Sequence, residues 1–154
     1  MAEWRLLRGW HADALQARLQ RLAEAGLNFE ASEAQMTGQN GWHHYHSEAV
    51  IARETEGDSC FARARTALAS YQFSDPAIVV AHFDPEGPLL TRRILLESKV
   101  LGLRYLCPAT VDAVRDEPGV HGFRYATLDG HIERGVEWFL LTKDVRGDIR
   151  FRIE

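Results

Sequence analysis

From Ile78 onward the chain is written in period two: runs rich in β-branched and aromatic residues are divided by the turn signals "DPEG" (84–87) and "DEPG" (116–119). This grammar constrains the fold most, because alternating runs joined by short turns must find ladder partners and the simplest partners are antiparallel neighbours. The clearest strands are Val120–Leu128, Val136–Thr142 and Ile149–Ile153. In the last, Ile149, Phe151 and Ile153 face one side and Arg150 and Arg152 the other, the pattern of a strand with one buried and one wet face. "TRRILLESKVLGLRYL" (91–106) also carries partial helical spacing, and strand is the preferred reading.

The first half obeys another rule. Leu15, Leu19 and Leu22 recur at spacings of four and three between Ala12 and Ala25, with Gly26 placed to stop an amphipathic helix. Residues 27–40 lack a sustained period and end in Gly38, Gln39 and Asn40, which reads as a connection with room for one short strand. "HHYHSEAVIARE" (43–54), bounded by Gly41 and Gly57, reads as a strand. Asp58 or Ser59 can cap a helix near residues 58–72 whose apolar face is Phe61, Ala64, Leu68 and Tyr71. Helices early and strands late predict an α+β domain: a curved antiparallel sheet of five to seven strands, with both helices on one face.

A length of 154 residues suits a single domain, and 45% apolar with 26% charged residues is enough for a packed core. The net charge of −4 provides no field for nucleic acid or anionic lipid. No G-x-G-x-x-G or G-x-x-x-x-G-K phosphate cradle occurs, and no cofactor is expected. Cys60 and Cys107 stand apart without a C-x-x-C partner, as in a reducing compartment. The N-terminus has no signal-peptide order and no apolar run approaches a membrane span, so a cytoplasmic protein without membrane insertion is expected.

Three groups carry possible chemistry. "GWHHYH" (41–46) puts three of seven histidines into six positions. On a strand His44 and His46 would share a face with Trp42, and H-x-H can hold a metal. Zinc needs further ligands, which His131, His82 or Glu48 would have to supply, so a sheet carrying polar and aromatic residues is preferred and no metal is assigned. In "YATLDGHIERG" (125–135), His131 lies on a turn with Asp129, Glu133 and Arg134, a group suited to proton transfer. The structural alternative is that Thr127 or His131 hydrogen-bonds the turn and fixes register. Glu137 faces opposite to Val136 and Trp138; it is solvated unless a cavity and a partner such as Arg124 or Arg150 hold it. Tyr125 and Thr127 share a face with Phe123, and Trp138 is a candidate for the same lining. Neither Ser59 nor Cys60 sits in a nucleophile motif.

"VDAVRDEPGVHGFRYATLDGHIERGVEWF" (111–139) resembles the central motif of domain-of-unknown-function family nineteen-ninety, matching it at Gly122, Phe123, Tyr125, Thr127, Leu128, Gly130, His131, Gly135, Glu137 and Phe139. "GWHH" is similar to that family's G-Y-H-H, and Gly57, Phe61, Ala64 and Leu68 fit its helix motif, so the resemblance covers roughly residues 4–154. Ala126 and Val136 depart from a glycine and a glutamate of the pattern. Family members usually continue past the last strand into a C-terminal helix, where this sequence stops at "FRIE". The family's layout is similar to the START-like, Bet v 1-like helix-grip fold, in which a curved sheet wraps a helix around an apolar cavity. The resemblance therefore implies a single domain at 1–154 lacking that final helix.

These readings lead first to a small apolar-ligand-binding domain, with Trp42, His44, His46, Tyr125, Thr127 and Trp138 about the cavity and His131 at its edge. The alternatives are an acid–base hydrolase or isomerase using His131 with Glu137 or Glu133, and a homodimeric interaction module.

Overall fold

The computed structural model describes residues 2–35 and 41–154. In chain order it holds β1 (Glu3–Leu6), α1 (Ala12–Arg21), β2 (Ser47–Arg53), α2 (Cys60–Ala69), β3 (Val79–His82), β4 (Arg93–Val100), β5 (Leu103–Glu117), β6 (Val120–Thr127), β7 (Val136–Lys143) and β8 (Asp148–Ile153). Short 3-10 turns lie at Leu22–Glu24 and Ala31–Gln35. The strands form one antiparallel sheet, ordered β2-β8-β7-β6-β5-β4-β3 and curled into a half-barrel, with β1 added to β5. The α+β class is thus as the sequence predicts. The end of the 27–40 connection, at Gly38, Gln39 and Asn40, lies outside the described residues.

The period-two half folds as its grammar dictates. The ambiguous stretch 91–106 becomes the β4–β5 hairpin, turned by Leu101 (φ 50°) and Gly102 (φ 80°). Positive φ at both central residues gives the turn a twist that matches the strands it joins. Extra residues in β2, between Val50 and Ala52, and in β5, between Val111 and Ala113, bulge their strands and increase the local bend.

The described sheet has eight strands rather than five to seven. β5 is fifteen residues long, so one edge carries β6 along Ala109–Glu117 and still leaves Leu103–Leu106 for β1. Four residues are too few to show alternation, and β1 is recruited by this vacant edge rather than by its own pattern. The histidine segment also differs from expectation: β2 begins only at Ser47, and residues 42–46 take no regular structure. Ser47 already pairs with Ile153, the last residue of β8, so the preceding residues have no neighbouring strand to bond.

The helices pack on opposite faces instead of sharing one. Phe61 and Leu68 of α2, with Tyr71 just beyond it, join Ile94, Leu96, Phe123, Phe139 and Ile149 in the main core. Leu22, Leu15 and Leu19 join Leu95 and Leu106 in a second cluster. Because neighbouring strand residues point to opposite sides, Leu95 cannot belong to the layer of Ile94 and Leu96, and α1 takes the face that α2 leaves. Two details of the helix ends are corrected too. α1 tightens into the Leu22–Glu24 turn and leaves helix at the extended Ala25, one residue before Gly26. Ser59 occupies the N-cap of α2 without a side-chain capping bond to the helix backbone, and Glu54 Oε1 accepts the Phe61 N–H at 2.9 Å instead, while its other oxygen pairs with Lys143.

The main core is aromatic. Tyr71, Phe73, Phe123 and Phe139 form a chain of ring pairs with centroids 4.9 to 6.3 Å apart. Cys60 and Cys107 are free thiols, the latter buried.

Candidate functional site

A large concavity lies where β7 outruns β8. Glu154 exchanges both backbone hydrogen bonds with Trp138, at 2.7 and 3.1 Å, and beyond that point Glu137 and Val136 pair only with β6. The irregular segment Gly41–Tyr45, coming from the far side of β8, crosses this free edge and closes a pocket of about 700 Å³. The pocket wraps the β7 edge and so draws on both sheet faces, Tyr125, Thr127 and Glu137 from one and Arg124 and Trp138 from the other.

At its floor the Tyr125 hydroxyl donates to Glu137 Oε2 at 2.6 Å. The two are directly opposed in the β6–β7 register, which places them on one face whatever their chemistry. Tyr125 is 9% exposed and Glu137 is half-buried. Burial lifts the Glu137 carboxyl above its ordinary range, against the lowering effect of the Tyr125 bond, and Glu133 adds to the rise. Burial and then the Glu137 charge push the Tyr125 phenol up as well. The solvated reading of Glu137 is therefore replaced by a sheltered one, and its partner is neither Arg124 nor Arg150. Arg124 grips Asp112 through two 2.9 Å bonds, and Arg150 bonds Asp144 at 3.0 Å.

One wall is Trp42. Its ring meets Phe29 edge-on at 5.8 Å and carries the Arg134 guanidinium at 5.2 Å. A Cβ at Gly135 would lie 3.1 Å from that ring, at a φ of +150° that side chains rarely adopt, so glycine is what lets the wall close.

The turn between β6 and β7 is braced from far away in sequence. The Thr127 hydroxyl bonds Asn28 Oδ1 at 2.6 Å and accepts the Gly135 N–H at 2.9 Å, while Asn28 Nδ2 donates to the Glu133 carbonyl at 2.8 Å. His131 Nδ1 accepts the Glu133 N–H at 2.9 Å, which puts the neutral ring's proton on Nε2. Burial holds the His131 pKa below its ordinary value, opposed by Glu133. Its ring nitrogen is thus used inside the turn.

Of the residues singled out from the sequence, Trp42, His44, Tyr125, Thr127, Glu137 and Trp138 meet at the pocket, and Glu133 and Arg134 of the turn group also line it. His46 does not line it; its Nδ1 lies 3.8 Å from Glu154 Oε2 at the end of β8. His131 is also absent from the lining, and it makes no hydrogen bond to the Glu137 or Glu133 carboxylate among the described residues. Sequence reasoning gave no role to Tyr45 and Glu154 in the lining or to Asn28 behind it. Asn28 lies 99 residues from Thr127, and no local pattern announces such a partner. Among the described residues no group of three or more His, Cys, Asp or Glu is arranged to hold a metal ion, and no helix is long and apolar enough to cross a membrane.

A family model described as a domain of unknown function (DUF1990) matches residues 21–154. A UPF0548 protein of Deinococcus radiodurans is 33% identical over 109 residues, which are 64% of this chain and 55% of that protein. The chain thus spans about half the length of this curated relative. No solved structure matches.

Proposed function

The chain belongs to the DUF1990 family, and from that premise we propose that it is a small-molecule-binding domain whose ligand sits in the pocket at the end of β7. The observation carrying this reading is the Tyr125–Glu137 pair: two polar groups sheltered at the floor of a concavity lined by Trp42 and Trp138. Small-molecule sites join an apolar wall to a few placed polar groups in this manner, and about 700 Å³ falls within their usual size. The ligand would lay an apolar body against the tryptophans and turn a polar end to the floor. A curled sheet with a helix across one face is the frame a helix-grip domain uses, and we keep that reading as part of the proposal. Here, however, the space between α2 and the sheet is filled by aromatic rings, so the binding volume lies at the sheet's end.

Amide chemical-shift mapping of the whole chain against a fragment library tests the proposal. Saturable shifts confined to Trp42–Tyr45, Tyr125–Thr127 and Glu133–Trp138 are expected. Fragments that bind elsewhere on the sheet, or none that bind, would overturn it.

A further inference from the structure

Glu137 is a sheltered carboxylate without a counter-charge. Its Oε2 is taken by a neutral phenol, and no Lys, Arg or His pairs with it among the described residues. Arg124, on the neighbouring strand, points to the opposite face and is committed to both oxygens of Asp112. Sheltering a carboxylate costs free energy unless a cation compensates it; the described residues supply none, and the pocket side is where one can enter.

The aromatic wall favours the same sign of charge. Trp42 already holds the Arg134 guanidinium over its ring at 5.2 Å, which shows that a cation can settle on this wall. The basic groups His43, His44 and Arg134 are exposed at the mouth, where water weakens their pull, whereas Glu137 acts from the half-buried floor. An anion seated at the floor would lie against the Glu137 carboxylate and be repelled.

We propose that the pocket selects protonated organic amines, with the ammonium seated on the free oxygen of Glu137 and the apolar body against Trp42. This rests on the pocket being a small-molecule site and names the ligand class it takes. The amine binds without covalent change. Its N–H donates to Glu137 while the Tyr125 hydroxyl continues to hold the carboxylate's other oxygen.

Three probes of one body separate the cases: 2-phenylethylamine, 2-phenylethanol and 3-phenylpropanoate, titrated by NMR into the whole chain, Glu137→Gln and Glu133→Gln. The amine should bind about ten- to a hundredfold tighter than the alcohol, the ratio a charge-assisted hydrogen bond supports. In Glu137→Gln the ratio should fall to about one with alcohol affinity unchanged; in Glu133→Gln, whose carboxylate is at the mouth, it should stay within about twofold. Equal binding of all three probes, tightest binding of the propanoate, or loss of the ratio only in Glu133→Gln overturns the amine assignment and leaves the pocket reading standing. If no probe moves a pocket residue, both fall.

Discussion

Thr127→Val tests whether the long-range brace sets the β6–β7 turn. The substitution keeps the shape of the side chain and the backbone bond from the Thr127 N–H to the Gly135 carbonyl (3.0 Å), and removes only the hydroxyl. That hydroxyl is in a residue 3% exposed, and it serves Gly135 N at 2.9 Å and Asn28 Oδ1 at 2.6 Å. The two losses differ in kind. The Gly135 N–H is half-buried beside Trp42 and keeps no acceptor, a cost of about 1–3 kcal/mol. The Asn28 side chain can turn to water, so losing its bond costs about 0.5–1.5 kcal/mol. The sum is roughly 1.5–4.5 kcal/mol, which for a chain of this length lowers Tm by roughly 3–18 °C. Thr127→Ser is the control: it keeps the hydroxyl and removes one buried methyl, worth about 1 kcal/mol. Urea unfolding followed by circular dichroism gives both values, and the Trp42 indole resonance reports whether the pocket wall shifts. If valine costs no more than serine, or less than about 0.5 kcal/mol, the hydroxyl is not what holds the turn.

The remaining predictions concern charge and backbone packing. Because burial raises the Glu137 pKa in the folded chain, its favourable contribution is complete below the unfolded value and is lost as pH rises through the folded one. Thermal melts should therefore show Glu137→Gln close to wild type near about pH 4 and gaining on it toward about pH 8; a gap that does not change with pH sinks the reasoning. At Gly122 an added Cβ would lie 2.1 Å from the Phe139 carbonyl oxygen, which belongs to the paired strand and cannot move aside. Gly122→Ala should cost at least about 3 kcal/mol in the same urea assay, and a wild-type midpoint would show that β6 and β7 are not this closely apposed.

The retained carboxylate of the family motif shows where sequence reading succeeds and where it stops. Alternation fixes that Glu137 faces opposite to Val136 and Trp138, and the register places it across from Tyr125. Whether that face is wet cannot be read from β7 alone, since it depends on β8 stopping short and on Gly41–Tyr45 crossing the gap. The histidines fail for a related reason. Their neighbours' β-propensity invites a strand assignment, but a strand exists only where a ladder partner does, and opposite residues 42–46 there is none. His131 was legible as a turn residue, while its use of Nδ1 inside the turn depends on the backbone path to Glu133.

The sequence by itself determined the local geometry: strands from a period of two, helices from spacings of three and four, and the α+β order of the chain. These follow from backbone pitch and hold wherever a segment lies. Only the tertiary structure decided which helix takes which sheet face, that Leu103–Leu106 would recruit β1, and that Trp42, Glu137 and Asn28 would converge. Those outcomes turn on relative strand length and on contacts across about a hundred residues, and no pitch or propensity within a segment encodes them.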